Sequence, residues 1–275
     1  MVTVSIIIPC YNQGVFIDEA VNSVLLQSFQ DFEIIIINDG STDPFTISKL
    51  KEHNWPKTKV IHTENHGVSA ARNTGIRASN GEYIQFLDAD DSIAYNKFER
   101  QLDLLRNASE NALSYTDYFT ASETDLSVSH KGRYQSPKFR SRNYLQELIL
   151  NWELIFIITP NCFLFNSYFF KEKRISFNES LINHEDWECF MNIFALNPEV
   201  FYIDEKLAIY RIQSKGACSK KKLMYQGHLK ALEIQLLKYK NNKKLYFLFL
   251  VKIFIIKYIK GLKLIISILL EKLKA

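Results

Sequence analysis

Cysteine is scarce in this chain of 275 residues, and none of the four cysteines belongs to a C-x-x-C pair. Cys10, Cys162, Cys189 and Cys218 lie far apart, which argues against a zinc ribbon or a thioredoxin-type redox site. We therefore expect reduced thiols that act as small apolar residues.

Long uncharged apolar runs are also absent from the sequence. The longest candidate, residues 245–256, falls short of the ~18 residues that a membrane-spanning helix needs and is interrupted by Lys252. The first apolar run begins at Val2 and has the pattern of a strand, so no segment resembles a secretory signal peptide. We expect a cytoplasmic protein without a membrane-spanning helix.

Several well-known catalytic motifs are missing as well. The chain contains no G-x-S-x-G, H-E-x-x-H, G-x-G-x-x-G or Walker loop. Hydrolase, zinc-peptidase, dinucleotide-dependent and P-loop functions therefore lack their motifs.

Charge is divided unevenly along the chain. Residues 215–275 contain 15 Lys and two Glu, a net charge of +13, whereas residues 1–214 contain 19 basic and 28 acidic residues, a net charge of −9. A body of that sign repels a nucleic-acid backbone, so we expect no nucleic-acid partner. We divide the chain into one domain, residues 1–214, with halves at 1–106 and 107–214, and a basic helical tail, residues 215–275.

Short apolar runs alternate with helical patterns in the first half of the chain. The runs show little polar alternation, which indicates a mostly parallel sheet with helices on both faces, an α/β fold. Beyond residue 106 this rhythm weakens, and we expect irregular loops over residues 120–142. The predicted strands are residues 4–9, 34–37, 59–62 and 83–87.

Polar residues follow the predicted strands at their carboxyl ends, where ligands bind in open parallel sheets. Asp88 and Asp90 come directly after the fourth strand, and two hard oxygen ligands suit Mg²⁺ or Mn²⁺. Such a metal would offset the charge of a diphosphate ligand. The alternative is that Asp90 and Asp91 cap the next helix.

Three further residues near strand ends have both a binding and a structural interpretation. Asp39 can accept hydrogen bonds from a ribose or a base, or can serve as a turn or N-cap carboxylate. Tyr11 can stack on a nucleobase, or can pack with its hydroxyl in water. Arg72 lies in a helix rich in small residues and can reach a phosphate, a base or only solvent.

The second half contains a pair of carboxylates at the start of a predicted helix. Asp186 can act as a general base toward a sugar hydroxyl, a role worth about 10²- to 10⁴-fold in rate. The alternative is that Glu185 and Asp186 only favour the positive end of the helix dipole. We expect the preceding residue, His184, to be structural.

Four segments occur in an order that makes them far more specific together than any one alone. They are residues 5–12, 38–43, 65–73 and 86–91. Through them the chain closely resembles the family 2 glycosyltransferases, and the resemblance is dense over residues 3–106. It implies a GT-A fold, a nucleotide-diphosphate sugar as donor, commonly a UDP-sugar, a divalent metal, Mn²⁺ or Mg²⁺, and inversion of the anomeric centre.

The resemblance also implies roles for individual residues. Asp90, with Asp88, would bind the metal, and Asp186 matches the aspartate of the family's E-D motif, which acts as the base. Residues 210–213 resemble the family's Y-R-x-H segment, but Gln213 stands in place of the histidine, which weakens the case for a diphosphate contact there. The residues assigned to the nucleotide sugar are Pro9, Tyr11, Asp39, Arg72, Asp88 and Arg211.

The implied activity is transfer of a sugar to a hydroxyl of a glycan or lipid-linked saccharide, in surface polysaccharide biosynthesis. Two alternatives remain open. A sugar nucleotidyltransferase would have a Gly-rich, basic loop after the first strand, where this chain has Tyr11-Asn12-Gln13-Gly14. A catalytically silent nucleotide-sugar-binding scaffold would retain the fold without the reaction.

The tail has the pattern of a basic amphipathic helix from residue 252 onward. At about 100° per residue, one arc contains Lys252, Lys257, Lys260, Lys263, Ser267, Glu271 and Lys274, and the other contains Phe254, Ile255, Tyr258, Ile259, Leu262, Ile265, Ile266 and Leu269. We expect this helix to bind an anionic membrane surface, which would place the protein at the inner face of the cell membrane. The alternative is a helix packed on protein with its lysines in water.

Overall fold

The computed structural model describes residues 2–128, 135–214 and 220–260. Its first half repeats strand, loop and helix, as the apolar patterns predict. The elements are β1 (Val4–Cys10), α1 (Ile17–Leu25), β2 (Phe32–Asp39), α2 (Pro44–Lys51), β3 (Thr58–Thr63), α3 (Val68–Ala78) and β4 (Tyr83–Phe86). Each helix returns the chain to the start of the next strand, so β1 to β4 run parallel.

The second half is less regular. Its elements are β5 (Ser92–Ile93), α4 (Lys97–Leu105), β6 (Ala112–Ala121), α5 (Tyr144–Leu150), β7 (Phe163–Asn166), α6 (Tyr168–Lys171), α7 (Glu185–Phe194) and β8 (Glu199–Arg211). The expected irregular connection begins later than predicted, because β6 continues to Ala121. Its described parts, residues 122–128 and 135–143, contain neither helix nor strand.

Strands from both halves join one eight-stranded sheet in the order β3-β2-β1-β4-β7-β6-β8-β5. β1 pairs in parallel with β2 and β4, whereas β7 pairs antiparallel with β4 and β6. The four isoleucines of β2, Ile34–Ile37, are all buried, because helices cover both faces of the sheet. The α/β prediction with a mostly parallel sheet is confirmed.

Helix α3 packs closely against β1. A Cβ atom on Gly75 would lie 2.3 Å from Cγ2 of Ile7, so the helix can approach the strand this closely only with glycine at that position. Arg72 lies one turn earlier on the same helix and is buried. The close packing therefore holds Arg72 near the carboxyl ends of the parallel strands.

The described part of the tail folds into α8 (Lys221–Lys238), α9 (Lys243–Ile255) and a π-helical turn, Ile256–Lys260. Phe249 and Ile256 belong to the core cluster of the second half. For residues 220–260, the helices therefore pack on the body. No helix among the described residues is long and apolar enough to cross a membrane.

The orientation of α9 corrects one expectation. The helical pattern predicts Lys252 on the polar arc that would face a membrane surface, but Lys252 is buried, and its ammonium donates to the carbonyl oxygens of Leu150 (3.2 Å) and Trp152 (2.7 Å). The reason is that Phe249 and Ile256 lie on the same helical face and anchor that face in the core. Residues 261–275, which hold the rest of the predicted arcs, lie outside the described residues.

Candidate active site

The loops that follow β1 and β2 are fastened together by Asn12. The side-chain oxygen of Asn12 accepts hydrogen bonds from the backbone N–H groups of Thr42 (2.8 Å) and Asp43 (2.9 Å). The backbone N–H of Asn12 donates to Ser41 Oγ (3.0 Å). Asn12 has φ 55°, a left-handed conformation that asparagine tolerates better than most residues. Sequence reasoning did not give Asn12 a role, although an asparagine directly after a strand is a signal for such a turn.

Two predicted nucleotide residues flank this loop. Pro9 pairs with Ile37 inside the sheet and is half-buried. Tyr11 projects from the end of β1 with 45% of its surface exposed. An exposed aromatic ring at the carboxyl end of a parallel strand is available for stacking against a planar ligand.

Asp39 ends β2 and connects it to the start of α3. One carboxylate oxygen accepts from the backbone N–H of His66 and the other from that of Gly67, both at 2.9 Å. Gly67 has φ 88°, which brings its N–H toward the carboxylate. The helix-capping alternative for Asp39 is wrong, because Asp43 caps α2 through Thr46 (2.8 Å). Asp39 thus shapes the loop that leads to Arg72.

Arg72 joins the two halves of the site. Its Nη2 donates to Asp88 Oδ1 and its Nη1 donates to Glu185 Oε1, both at 2.8 Å. Burial disfavours charge on Arg72, yet the carboxylates of Asp88 and Glu185 outweigh that effect and raise the pKa of the guanidinium above its ordinary value. One guanidinium group therefore contacts both the segment after β4 and the start of α7.

The two carboxylates of the D-x-D segment, Asp88 and Asp90, are both half-buried. The Asp88 side chain keeps 31% of its surface exposed. Burial, and then repulsion from Asp88, raises the pKa of Asp90 to about 6. Gln213 Nε2 donates to Asp90 Oδ2 at 2.6 Å, a contact to the D-x-D segment that sequence reasoning did not foresee. Histidine and glutamine can both donate from this position.

Asp91 has a structural role that differs from the helix cap considered from the sequence. Its carboxylate accepts from Asn161 Nδ2 and from the backbone N–H of Arg211, both at 2.9 Å. The next helix, α4, begins only at Lys97, after Asn96, so neither Asp90 nor Asp91 caps it. The capping alternative is therefore wrong, and Asp91 instead fixes β8 beside the D-x-D segment.

Arg211 lies behind the D-x-D segment and is almost fully buried. Its Nε donates to the carbonyl oxygen of Asp90 and its Nη1 to that of Glu123, both at 2.7 Å, and its Nη2 pairs with Glu19. The guanidinium therefore fixes the backbone of Asp90 and places a positive charge next to it.

Asp186 lies in the first turn of α7, half-buried and one residue after the partner of Arg72. Burial, and then repulsion from Glu185, raises the pKa of Asp186 to about 6, while His184 and Arg72 oppose the rise. A carboxylate with this pKa is mostly ionised at neutral pH yet accepts a proton more readily than an ordinary aspartate, as a general base requires.

Comparisons with known proteins agree with this architecture. The sequence model described as "Glycosyl transferase family 2" matches residues 5–172, well over half of the chain. The uncharacterized glycosyltransferase EpsJ of Bacillus subtilis is 33% identical over 76% of this chain and 60% of its own length. Escherichia coli chondroitin synthase is 30% identical over 83% of this chain and 32% of its own length. The chain thus spans less than two thirds of these relatives.

Solved structures share the fold. S. aureus TarS 1–349, solved in complex with UDP-GlcNAc, superposes with a TM-score of 0.68 at 20% identity and covers 91% of this chain and 72% of its own. The Pyrobaculum calidifontis mannosyltransferase PcManGT, solved with GDP-Man and Mn²⁺, has a TM-score of 0.62 at 16% identity, covering 85% and 64%. These structures show that the chain has the GT-A fold.

The Arg72 bridge can be tested by stability measurements. Arg72→Gln leaves Asp88 and Glu185 without their counter-charge, and we expect the free energy of unfolding to fall by about 3 kcal/mol. Urea unfolding of the variant and of the parent measures the difference.

Arg77→Gln serves as the matched control, since Arg77 is an exposed arginine on the same helix. Its free energy of unfolding should stay within about 0.5 kcal/mol of the parent. An Arg72→Gln variant whose free energy of unfolding also stays within about 0.5 kcal/mol of the parent would contradict the role assigned to the bridge.

Proposed function

The chain belongs to glycosyl transferase family 2, and we propose that it transfers a sugar from a nucleotide-diphosphate sugar to a hydroxyl of a glycan or lipid-linked saccharide, with inversion at the anomeric carbon. The observation that carries the proposal is the Arg72 bridge, with 2.8 Å contacts to both Asp88 and Glu185. A donor held at Asp88 would therefore lie close to the helix that begins with Glu185 and Asp186.

For the donor, we favour a UDP-sugar. Tyr11 is exposed where a base could stack, and Pro9 and Asp39 lie at the ends of the two strands beside it. TarS, which shares the fold, was solved with UDP and with UDP-GlcNAc. Chondroitin synthase, a relative in sequence, supports a role in building a polysaccharide.

A divalent metal, Mn²⁺ or Mg²⁺, fits the acidic residues after β4. Arg72 engages one oxygen of Asp88 and Gln213 one oxygen of Asp90, so each carboxylate has a second oxygen to offer. The raised pKa of Asp90 reflects burial beside another carboxylate, an arrangement that a cation relieves. Asp90, with Asp88, would hold the ion, which would stabilise negative charge on the departing diphosphate.

The proposed reaction is one displacement at the anomeric carbon. The acceptor oxygen forms the new bond to that carbon, Asp186 takes up the hydroxyl proton, and the bond to the diphosphate breaks with its electron pair leaving on the nucleotide. Arg211, which fixes the Asp90 backbone, adds positive potential on the diphosphate side. The base and the leaving group thus lie on opposite sides of the sugar.

The metal assignment predicts a change in nucleotide binding. Asp90→Asn preserves the shape of the side chain but removes the charge, so Mn²⁺ should no longer strengthen UDP binding. Calorimetry with UDP, with and without Mn²⁺, measures this dependence. Asp103→Asn, an exposed position on α4, is the control and should behave as the parent does. Retained Mn²⁺ dependence in Asp90→Asn would remove Asp90 from the metal site.

The base assignment predicts a loss of turnover without a loss of binding. Asp186→Asn keeps the shape and one hydrogen-bonding oxygen but cannot take up the proton, so kcat for UDP-sugar turnover should fall by about 10²- to 10⁴-fold. UDP affinity should stay near that of the parent. An Asp186→Asn enzyme with parental kcat would contradict the assignment, and Glu185 would be the next candidate.

The tail supports a membrane-bound location. The outer face of α9 and of the π-helical turn that follows it exposes Phe247 (63%), Leu250 (43%), Phe254 (59%) and Tyr258 (64%). These side chains fall within an arc of roughly 80°, which Lys244 and Lys257 flank, and Lys243 lies within the arc at the start of the helix. An apolar stripe bordered by lysines suits the headgroup region of an anionic bilayer, and the inner membrane face would bring a lipid-linked acceptor to the crevice.

Point variants test the membrane surface better than truncation does, because Phe249 and Lys252 of the same helix pack in the core. The double variant Leu250→Ser, Phe254→Ser should bind phosphatidylglycerol vesicles about tenfold more weakly than the parent in co-sedimentation. Leu26→Ser changes a similarly exposed leucine (68%) on the first half and should bind as the parent does. If the parent protein does not co-sediment with these vesicles at low salt, the proposal of a membrane-binding surface is refuted.

A further inference from the structure

Three titratable side chains meet beneath the start of α7. His184 Nε2 lies 2.9 Å from Glu153 Oε1, and His228 Nδ1 lies 3.0 Å from Glu153 Oε2. The two imidazole rings stack with centroids 4.4 Å apart and an interplanar angle of 26°. We call these residues the Glu153 trio. They come from three elements: the turn after α5, the residue before α7, and α8.

The hydrogen bonds define which ring carries the extra proton. Asn183 donates its Nδ2 to the carbonyl oxygen of Leu223 (2.9 Å), so the Asn183 oxygen faces His184 Nδ1 at 2.6 Å. Both nitrogens of His184 therefore face oxygen acceptors, which requires an imidazolium. His228 donates one N–H to Glu153, its Nε2 has no partner, and burial lowers its pKa to about 4, so it is neutral.

The trio is suited to hydrogen bonding rather than to metal binding. Its ligand atoms lie within 4.8 Å of one another, a spacing that a divalent ion could in principle use. However, the nearly parallel rings each point at a different oxygen of Glu153, whereas the lone pairs of two histidine ligands converge on one ion. Within the trio, the imidazolium of His184 already neutralises the carboxylate of Glu153, so no metal cation is needed to balance the charge.

The backbone indicates that surrounding contacts hold this arrangement in place. Glu153 and His184 both adopt left-handed φ values, 58° and 61°, which cost free energy in residues other than glycine. Helix α8 approaches so closely that a Cβ on Gly227 would lie 1.8 Å from the side-chain oxygen of Asn183. Left-handed backbone conformations in residues other than glycine persist only where the surrounding contacts hold them in place. They are commonly found at functional sites.

We propose that His184 is a positioning residue for Asp186: its imidazolium, fixed by Glu153 with His228, orients the first turn of α7 and places a positive charge two residues before Asp186. The proposal rests on the proposed role of Asp186 as the base. The other charged groups nearby are Glu185 on α7, Arg72 on α3 and Lys252 on α9. Of these, Glu185 opposes ionisation of Asp186 and Arg72 favours it, as His184 does. Lys252 acts on the His228 side, where it disfavours a second imidazolium.

The charge assignment can be measured without any substrate. In ¹⁵N-histidine NMR spectra of the full chain at pH 7, we expect one buried imidazolium that disappears in His184→Gln and one neutral Nδ1–H tautomer that disappears in His228→Phe. Two neutral rings at these positions would overturn the proposal. Zn²⁺ binding that raises the unfolding temperature of the parent but not that of Glu153→Gln would also overturn it, because the trio would then be a metal site.

The effect on Asp186 is measured by ¹³C titration of its carboxyl group, identified by its loss in Asp186→Asn. His184→Gln removes the neighbouring positive charge, so the midpoint of the Asp186 titration should rise by about 0.5–1 pH unit. The midpoint of the acid limb in the pH–rate profile of UDP-GlcNAc hydrolysis should rise by the same amount. His184→Lys, which keeps a positive charge, should restore part of the shift. Lys222→Gln, which removes an exposed charge from α8, should leave the titration unchanged.

The results separate this inference from the proposed function. If Asp186→Asn abolishes hydrolysis while His184→Gln lowers it equally at every pH with no shift in the titration, His184 is merely structural and the base assignment survives. If Asp186→Asn remains active, the base assignment fails, and with it the need for a positioning residue.

Discussion

The arrangement of the site depends on the buried guanidinium group of Arg72, whose charge is balanced by the carboxylates of Asp88 and Glu185. Arg72 is 16 residues from Asp88 and 113 residues from Glu185 along the chain, yet it bonds to both at 2.8 Å. Because an unpaired charge in this position would be costly, the first half of the chain reaches its lowest free energy only when α7 is docked upon it. The site is therefore complete only when the two halves are docked.

The first half could be predicted from the sequence because its information is local. A buried parallel strand is a continuous apolar run, and the polar residue that ends it marks the carboxyl edge of the sheet. Asp39, Asp88 and Asp90 are found at that edge for this reason. The resemblance to a family added the roles assigned to these residues, which strand patterns alone do not contain.

The remainder depends on contacts between distant segments. Nothing near Gln213 in the sequence indicates Asp90, and nothing near Glu153 indicates His228, because tertiary packing alone brings these pairs together. Lys252 shows how a helical pattern can mislead. The pattern assigned this lysine to the polar arc of a membrane-binding helix, whereas its ammonium donates to the carbonyl oxygens of Leu150, the last residue of α5, and Trp152. A periodicity argument counts side chains and cannot see such acceptors.

Two carboxylates in the site share a raised pKa of about 6, and they differ in what surrounds them. Asp90 is half-buried beside Asp88, whose charge repels it, and a bound cation would relieve that repulsion. Asp186 is half-buried beside Glu185, whose charge Arg72 already engages, and His184 limits the rise in the pKa of Asp186. In the proposed mechanism, Asp88 and Asp90 on one side of Arg72 would attract a cation, and Asp186 on the other side would accept a proton.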